Sequence, residues 1–229
     1  MLNKLACAAA MAAWAVAAPA ATVTTDDGAG ADTYVIQWDY SGVHEGETTF
    51  RLRGDTETNT RIGYLRFDLS GLEHAPSTVR EAALSLTVIG QVVSVELEVY
   101  GLIDGDADEN WNPWSTSWSN APARVGSELD PNHATPLGSW QMAGLTSGDH
   151  VTFDEPALAE HIAASGANDL VTLILLSRTD SISDFKSVEG SKGDRAIMPR
   201  LEVAPEPASL VLLAIGAAGL GRRRRRSAG

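Results

Sequence analysis

The chain has 229 residues, 44% of them hydrophobic and 21% charged, a balance that excludes a disordered or collagen-like chain and suits one folded domain. Its one cysteine, Cys7, lies near the N-terminus, so the body of the protein has neither a disulfide scaffold nor a thiolate zinc site. The net charge of −13 is unevenly spread: Thr22–Ala204 holds 29 of the 30 acids and 11 of the 17 lysines plus arginines, a net −18 that repels phosphate backbones and excludes nucleic acid as the expected partner.

Residues 1–21 read as a secretory signal peptide. Lys4 supplies the positive start and Leu5–Val16 the apolar run, and the small residues Ala17-Ala18-Pro19-Ala20-Ala21 place cleavage after Ala21. The alternative is a short anchor that stays uncut. Residues 22–204 then form the expected domain. Strands are predicted at Thr33–Gln37, Thr49–Arg53, Arg61–Leu69, Ala83–Ile89, Val93–Tyr100 and Leu170–Ser177, runs rich in β-branched, leucine and aromatic residues. Ser41-Gly42, Gly54-Asp55 and Asp104-Gly105 supply turns between them. Ala83–Val88 alternates apolar with small polar residues, and Val95–Val99 alternates valine and leucine with Glu96 and Glu98, as strands with one wet face do. Leu173–Leu176 is apolar throughout, which predicts a strand buried on both sides. One short helix is predicted at Glu155–Ser165, with Pro156 in its first turn and Leu158 and Ile162 on one face. Many short strands around one small helix define an all-β, two-sheet antiparallel sandwich.

An ordered set of segments runs through this body. It comprises Ala31–Val35, Ile62–Ser70, Ala82–Leu86, Glu98–Leu102, Trp118–Pro122, Phe185–Gly190 and Pro199–Val203. In that order they resemble a DNRLRE-type domain, related to the jelly-roll carbohydrate-binding modules of bacterial surface proteins. The resemblance covers about Ala31–Val203 and implies a jelly roll and polysaccharide binding. The chain departs from the pattern at Trp111–Trp118: where the family often carries an acid two positions after the first tryptophan, Pro113 stands here, followed by an additional Trp114.

Two constellations carry candidate chemistry. The loop Asp104-Gly105-Asp106-Ala107-Asp108-Glu109-Asn110 presents Asp104, Asp106 and Asp108, alternate carboxylates that could converge on calcium, an ion that takes 6–8 oxygen ligands. The competing reading is a solvated turn. No other cofactor is expected. Trp111, Trp114 and Trp118 fall close together, and flat indoles suit the C–H faces of sugars. Trp111 and Trp114 are the candidate carbohydrate contacts. Trp118, beside Asn120-Ala121-Pro122, is expected in the core, and Trp38 serves as the ring outside the contact. The histidines show no zinc spacing, and Gly-x-Ser-x-Gly, P-loop and Gly-x-Gly-x-x-Gly motifs are absent, so no catalytic residue is predicted.

Residues 205–229 read as a second address. Pro205-Glu206-Pro207 precedes the apolar stretch Ala208–Gly221, a predicted hydrophobic helix. Then come Arg222, Arg223, Arg224, Arg225 and Arg226, which should remain cytoplasmic as an anchor. As a helix the apolar stretch is about 21 Å long, short of the ~30 Å hydrocarbon core. This tail resembles the PEP-CTERM sorting signal of exopolysaccharide-secreting bacteria, which implies cutting near the Pro-Glu-Pro motif by a membrane-embedded exosortase and a transient membrane-bound precursor. A permanent tail anchor is the alternative. Together the segments point to an exported, non-catalytic surface or matrix protein that contacts exopolysaccharide. The competing functions are a spacer without a ligand and, further off, a secreted polysaccharide lyase or hydrolase.

Overall fold

The chain builds, in order, β1 (Ala21–Thr24), β2 (Ala31–Ile36), β3 (Thr49–Leu52), β4 (Arg61–Asp68), β5 (Val79–Ile89), β6 (Val92–Leu102), the hairpin β7 (Arg124–Val125) and β8 (Glu128–Leu129), β9 (Ala134–Leu145), β10 (His150–Phe153), α1 (Pro156–Ala164), β11 (Leu170–Ser177), β12 (Ser183–Lys186), the single turn α2 (Val188–Ser191) and β13 (Arg200–Pro205). This is a computed structural model, and it describes residues 19–54, 58–103, 107–165 and 168–206, apart from the side chains of 107 and 108. Among the described residues, Ala20–Pro205 cluster as one compact unit.

The strands form two antiparallel sheets. One runs β1-β13-β5-β12-β3, with β10 also paired to β5; the other runs β2-β4-β11-β6-β9. Successive strands cross back and forth between the sheets, and the result is the predicted all-β jelly-roll sandwich. Every expected strand is present, and α1 lies within the predicted helix, with Glu155 and Ser165 as its caps. The alternation read from Ala83–Val88 holds in direction, with Leu84, Leu86 and Val88 in the inter-sheet core, but the opposite face is not wet: Ser85 and Thr87 are buried beside Thr152 and His150.

Several strands escaped the sequence reading for local reasons. β9 carries Pro136, and Gly138 and Gly144 at positive φ, which break the pattern of a strand. It survives as the sheet's edge, where a proline costs no ladder bond, and its register against β6 shifts at Val99/Tyr100. β1 and β12 are only four residues long. The pairing of β1 with β13, Ala21 opposite Val203, starts the folded body at Ala21 itself. A signal cut after Ala21 would leave Thr22–Thr24 paired with Glu202, Leu201 and Arg200.

A second apolar cluster explains why Leu173–Leu176 shows no alternation. Val171, Leu173 and Leu175 face the inter-sheet core, whereas Ile174 and Leu176 face outward with Val35, Ile62 and Tyr64. The long connection between β6 and β9 folds over that outer face and seals it with Trp111, Trp118, Ala121 and Ala123. The β2-β4-β11 part of the sheet is therefore buried on both sides, and the covering connection brings Trp114 to the surface. Among the described residues no helix is long and apolar enough to cross a membrane. The predicted span Ala208–Gly221 lies outside the described residues.

Candidate functional site

The covering connection is built around Asn112. Its carbonyl accepts from the amides of Ser115 and Thr116 (2.9 Å each) and from the Thr116 hydroxyl (2.8 Å), and its side chain accepts from the Trp114 amide (3.0 Å). Asn120 closes the far side: Oδ1 accepts from the Ser117 amide (2.8 Å), and Nδ2 donates to the Ser115 carbonyl (3.0 Å). Asparagine side chains that bond nearby backbone favour turns of this kind over helix or strand. The turn thrusts Trp114 outward, 69% exposed.

A second connection, between β2 and β3, lies against the first. The Ser119 amide donates to the Tyr40 carbonyl (3.0 Å), and the Trp114 ring stands over Gly46, where a Cβ would meet its Cζ3 at 3.8 Å. Gly46 has φ +83°, a left-handed conformation that glycine adopts without strain. This connection carries Trp38 and Tyr40, each 62% exposed. Trp38 Nε1 donates to Asn59 Oδ1 (3.1 Å), which also accepts from Arg61 Nε (3.3 Å). The touching connections thus present three large, wet aromatic side chains.

Beneath them the β2–β3 connection is tied down. Tyr34 donates to Glu47 Oε2 (2.7 Å) and stacks on His44 with centroids 4.5 Å apart; His44 Nδ1 meets Glu47 Oε1 (2.9 Å), and Ser187 Oγ donates to the Glu47 carbonyl (2.6 Å). Burial works against the Glu47 charge, but the His44 and Tyr34 bonds outweigh it and hold that carboxyl below its ordinary range. Burial and the neighbouring Glu47 push the Tyr34 phenol up.

The structure separates the candidate tryptophans. Trp111 is in the core, only 7% exposed, with Arg66 over its ring at 4.7 Å, Tyr64 beside it, and its indole N–H donated to Thr172 Oγ1 (3.1 Å). It offers no ring face to a sugar, a correction to its reading as a contact residue. Its physical cause is the apolar outer face of β4 and β11, which draws the ring inward. Trp118 is buried as expected, with Arg124 stacked over it at 4.8 Å. Trp114 is exposed, and so is Trp38, which lies on the β2–β3 connection that meets the one bearing Trp114. Tyr40 was missed; its only local signal is a tyrosine beside the turn pair Ser41-Gly42.

Of the calcium candidates, Asp104 and Asp106 and the side chain of Asp108 lie outside the described residues. Glu109 from the same loop is buried and accepts from Asn168 Nδ2 (2.9 Å). Among the described residues no three histidine, cysteine or acidic side chains are arranged to hold a metal ion. Pro205 ends β13, opposite Val79. Pro207 and Arg222–Arg226 lie outside the described residues, as does most of residues 1–21.

Residues 23–152 match the profile of carbohydrate-binding module family 96, and residues 203–226 match the PEP-CTERM protein-sorting motif. The first match spans more than half of the chain, and this protein belongs to carbohydrate-binding module family 96. No curated protein matches it. Among solved structures, recombinantly expressed latent aurone synthase (polyphenol oxidase) aligns at 11% identity and TM-score 0.32, and the same enzyme from its natural source at 11% and 0.31. Each alignment covers 69% of this chain and 24% of that one, so this chain spans about a quarter of those proteins. A likeness so slight carries no argument.

Proposed function

We propose that this protein is an exported, non-catalytic surface or matrix component that holds exopolysaccharide through Trp114, Trp38 and Tyr40. The observation that carries this reading is three exposed aromatic side chains on two touching connections of a carbohydrate-binding module. Large apolar rings left in water mark interaction surfaces, and indoles stack on sugar C–H faces while donating N–H to hydroxyls. The Asn112 and Asn120 bonds order the turn before any ligand arrives, which lowers the entropy lost on binding. In this reading residues 1–21 direct export, Ala208–Gly221 holds the precursor in the membrane, and an exosortase cuts at Pro205-Glu206-Pro207 to release the body to the surface or beyond.

Pull-down on the producing cell's own exopolysaccharide tests it. Trp114→Ala is expected to weaken retention about tenfold, the ~1.4 kcal/mol scale of an exposed aromatic anchor, with no change in melting temperature. Wild-type affinity in Trp114→Ala would place the contact elsewhere. A wild-type protein that retains neither neutral nor acidic glycan sinks the proposal.

A further inference from the structure

Asp32 and Glu45 are two carboxyls that the glycan-facing patch does not use. Asp32 points inward from β2, 5% exposed, and its Oδ2 accepts from the Thr25 hydroxyl (2.9 Å) and the Val188 amide (3.0 Å). One carboxyl thus joins the β1–β2 connection, β2 and α2. Glu45 sits in the β2–β3 connection beside Gly46, and its Oε2 is enclosed with no hydrogen-bond partner. Among the described residues, neither acid has an ion-pair partner.

The charges that face them are mostly of the same sign. Glu189, in α2, repels a charge on both, Asp26 repels one on Asp32, and Asp32 repels one on Glu45. Against these stands Arg66, which favours a charged Glu45 but has its guanidinium committed to the carbonyls of Ala29 (2.7 Å) and Trp111 (2.6 Å). An enclosed carboxylate without a cation neutralises by taking a proton, and neighbouring carboxylates of the same sign add to that tendency.

We propose that Asp32 and Glu45 act as a proton-linked latch: protonated, they seat the segment that carries Gly46 beneath Trp114, and when both ionise the segment loosens. The consequence for the ligand rests on the reading of Trp114 as a glycan contact; the latch itself does not. The mechanical link is short. Glu45 and Gly46 are neighbours, Glu47 is tied to Ser187 at the start of α2, and Val188 in the same turn is tied to Asp32. Repulsion among Asp32, Glu45 and Glu189 pushes this segment away from β2 and α2, and the floor beneath the Trp114 ring goes with it.

The sign follows from burial, the largest cause for both groups: in Asp32 it outweighs the Thr25 and Val188 bonds, which favour the charged form, and Glu189 adds to it in each. Asp32 and Glu45 are both pushed up to about 7 in the fold. The folded chain therefore binds more protons than the unfolded one between about pH 4 and about pH 7, so this contribution is complete below that window and is lost as pH rises through it.

Hydrogen exchange of residues 43–48 in the full chain, kept soluble in mild detergent, tests the latch. After correction for the intrinsic rate, protection in the wild type is expected to fall tenfold or more between about pH 5.5 and about pH 8.5. Glu45→Gln and Asp32→Asn, two independent neutral variants, are expected to keep protection at both. Unchanged wild-type protection overturns the proposal, and so does a loss that persists in both variants. Millimolar calcium chloride that restores protection at high pH in the wild type alone also overturns it, because a cation rather than a proton would then balance the pair. If the latch titrates as expected while no glycan binds at any pH, the latch stands and the glycan reading falls.

Discussion

Arg66→Ala is expected to lower the stability of the sandwich by about 3 kcal/mol, because two charge-assisted hydrogen bonds of ~1.5–3 kcal/mol each disappear and the buried Trp111 carbonyl is left unpaired. Arg66 projects from the outer face of β4, where its fork holds the Ala29 carbonyl on one side and the Trp111 carbonyl on the other while it stacks on the Trp111 ring. One side chain therefore fastens the β1–β2 connection and the long covering connection to the sheet. Burial lowers its affinity for the proton, with the charges of Asp68 and Glu45 opposing, yet a guanidinium stays charged. Arg66→Lys keeps the charge without the fork and is expected to recover less than half of the loss. Urea denaturation measures both. On the proposed reading of Trp114 as a glycan contact, the same variants should also weaken exopolysaccharide retention, because the connection that loosens carries that ring. A cost under about 1 kcal/mol for Arg66→Ala would show that the apolar contacts of Trp111 and Trp118 hold the connection without it.

Gly63→Ala is expected to be the other costly change, by about 2–3 kcal/mol. Gly63 lies on the inner face of β4, where a Cβ would fall 2.1 Å from Phe50 Cε2 and 2.8 Å from Leu52 Cδ2. Phe50 and Leu52 are fully buried on β3, and Phe50 packs on Phe185 of β12 with centroids 5.6 Å apart, so the rings have little room to retreat. The melting temperature should fall by roughly 5–10 °C for a domain of this size. Phe50→Leu in the same chain is expected to restore part of it, since the two substitutions share one space and their effects do not add. Equal losses from Gly63→Ala with and without Phe50→Leu would mean that the strain lies in the backbone rather than in the ring.

The parts of this fold that were legible in the sequence are those set by short-range pattern. Alternation in Ala83–Val88 placed β5 because burial of one sheet face is written residue by residue along the strand. Pro156, followed by Leu158 and Ile162 four apart, placed α1 for the same reason. β9 was not legible, since Pro136, Gly138 and Gly144 obey the tolerance of a sheet edge, and a strand becomes an edge only through its neighbours. The C-terminal pattern was legible because it is a linear arrangement of charge, apolar length and small residues, and the Pro-Glu-Pro, apolar and arginine order was enough to match the sorting motif.

The tryptophans mark the boundary between the two kinds of information. Residue type and clustering already made Trp111 and Trp114 candidates for a sugar, and composition already placed them in an acidic, cysteine-free all-β body. Which ring meets water was decided by packing across the sheet. The outer face of β4 and β11 presents Tyr64, Thr172 and Ile174, and that surface drew in Trp111; Asn112 then turned the chain so that Trp114 faced outward and met the connection bearing Trp38 and Tyr40. Local sequence sets what a side chain can bind and which face of its own strand it takes. Exposure depends on which distant segments compete to cover it, and that competition is settled only when the sheets and their covering connection close together.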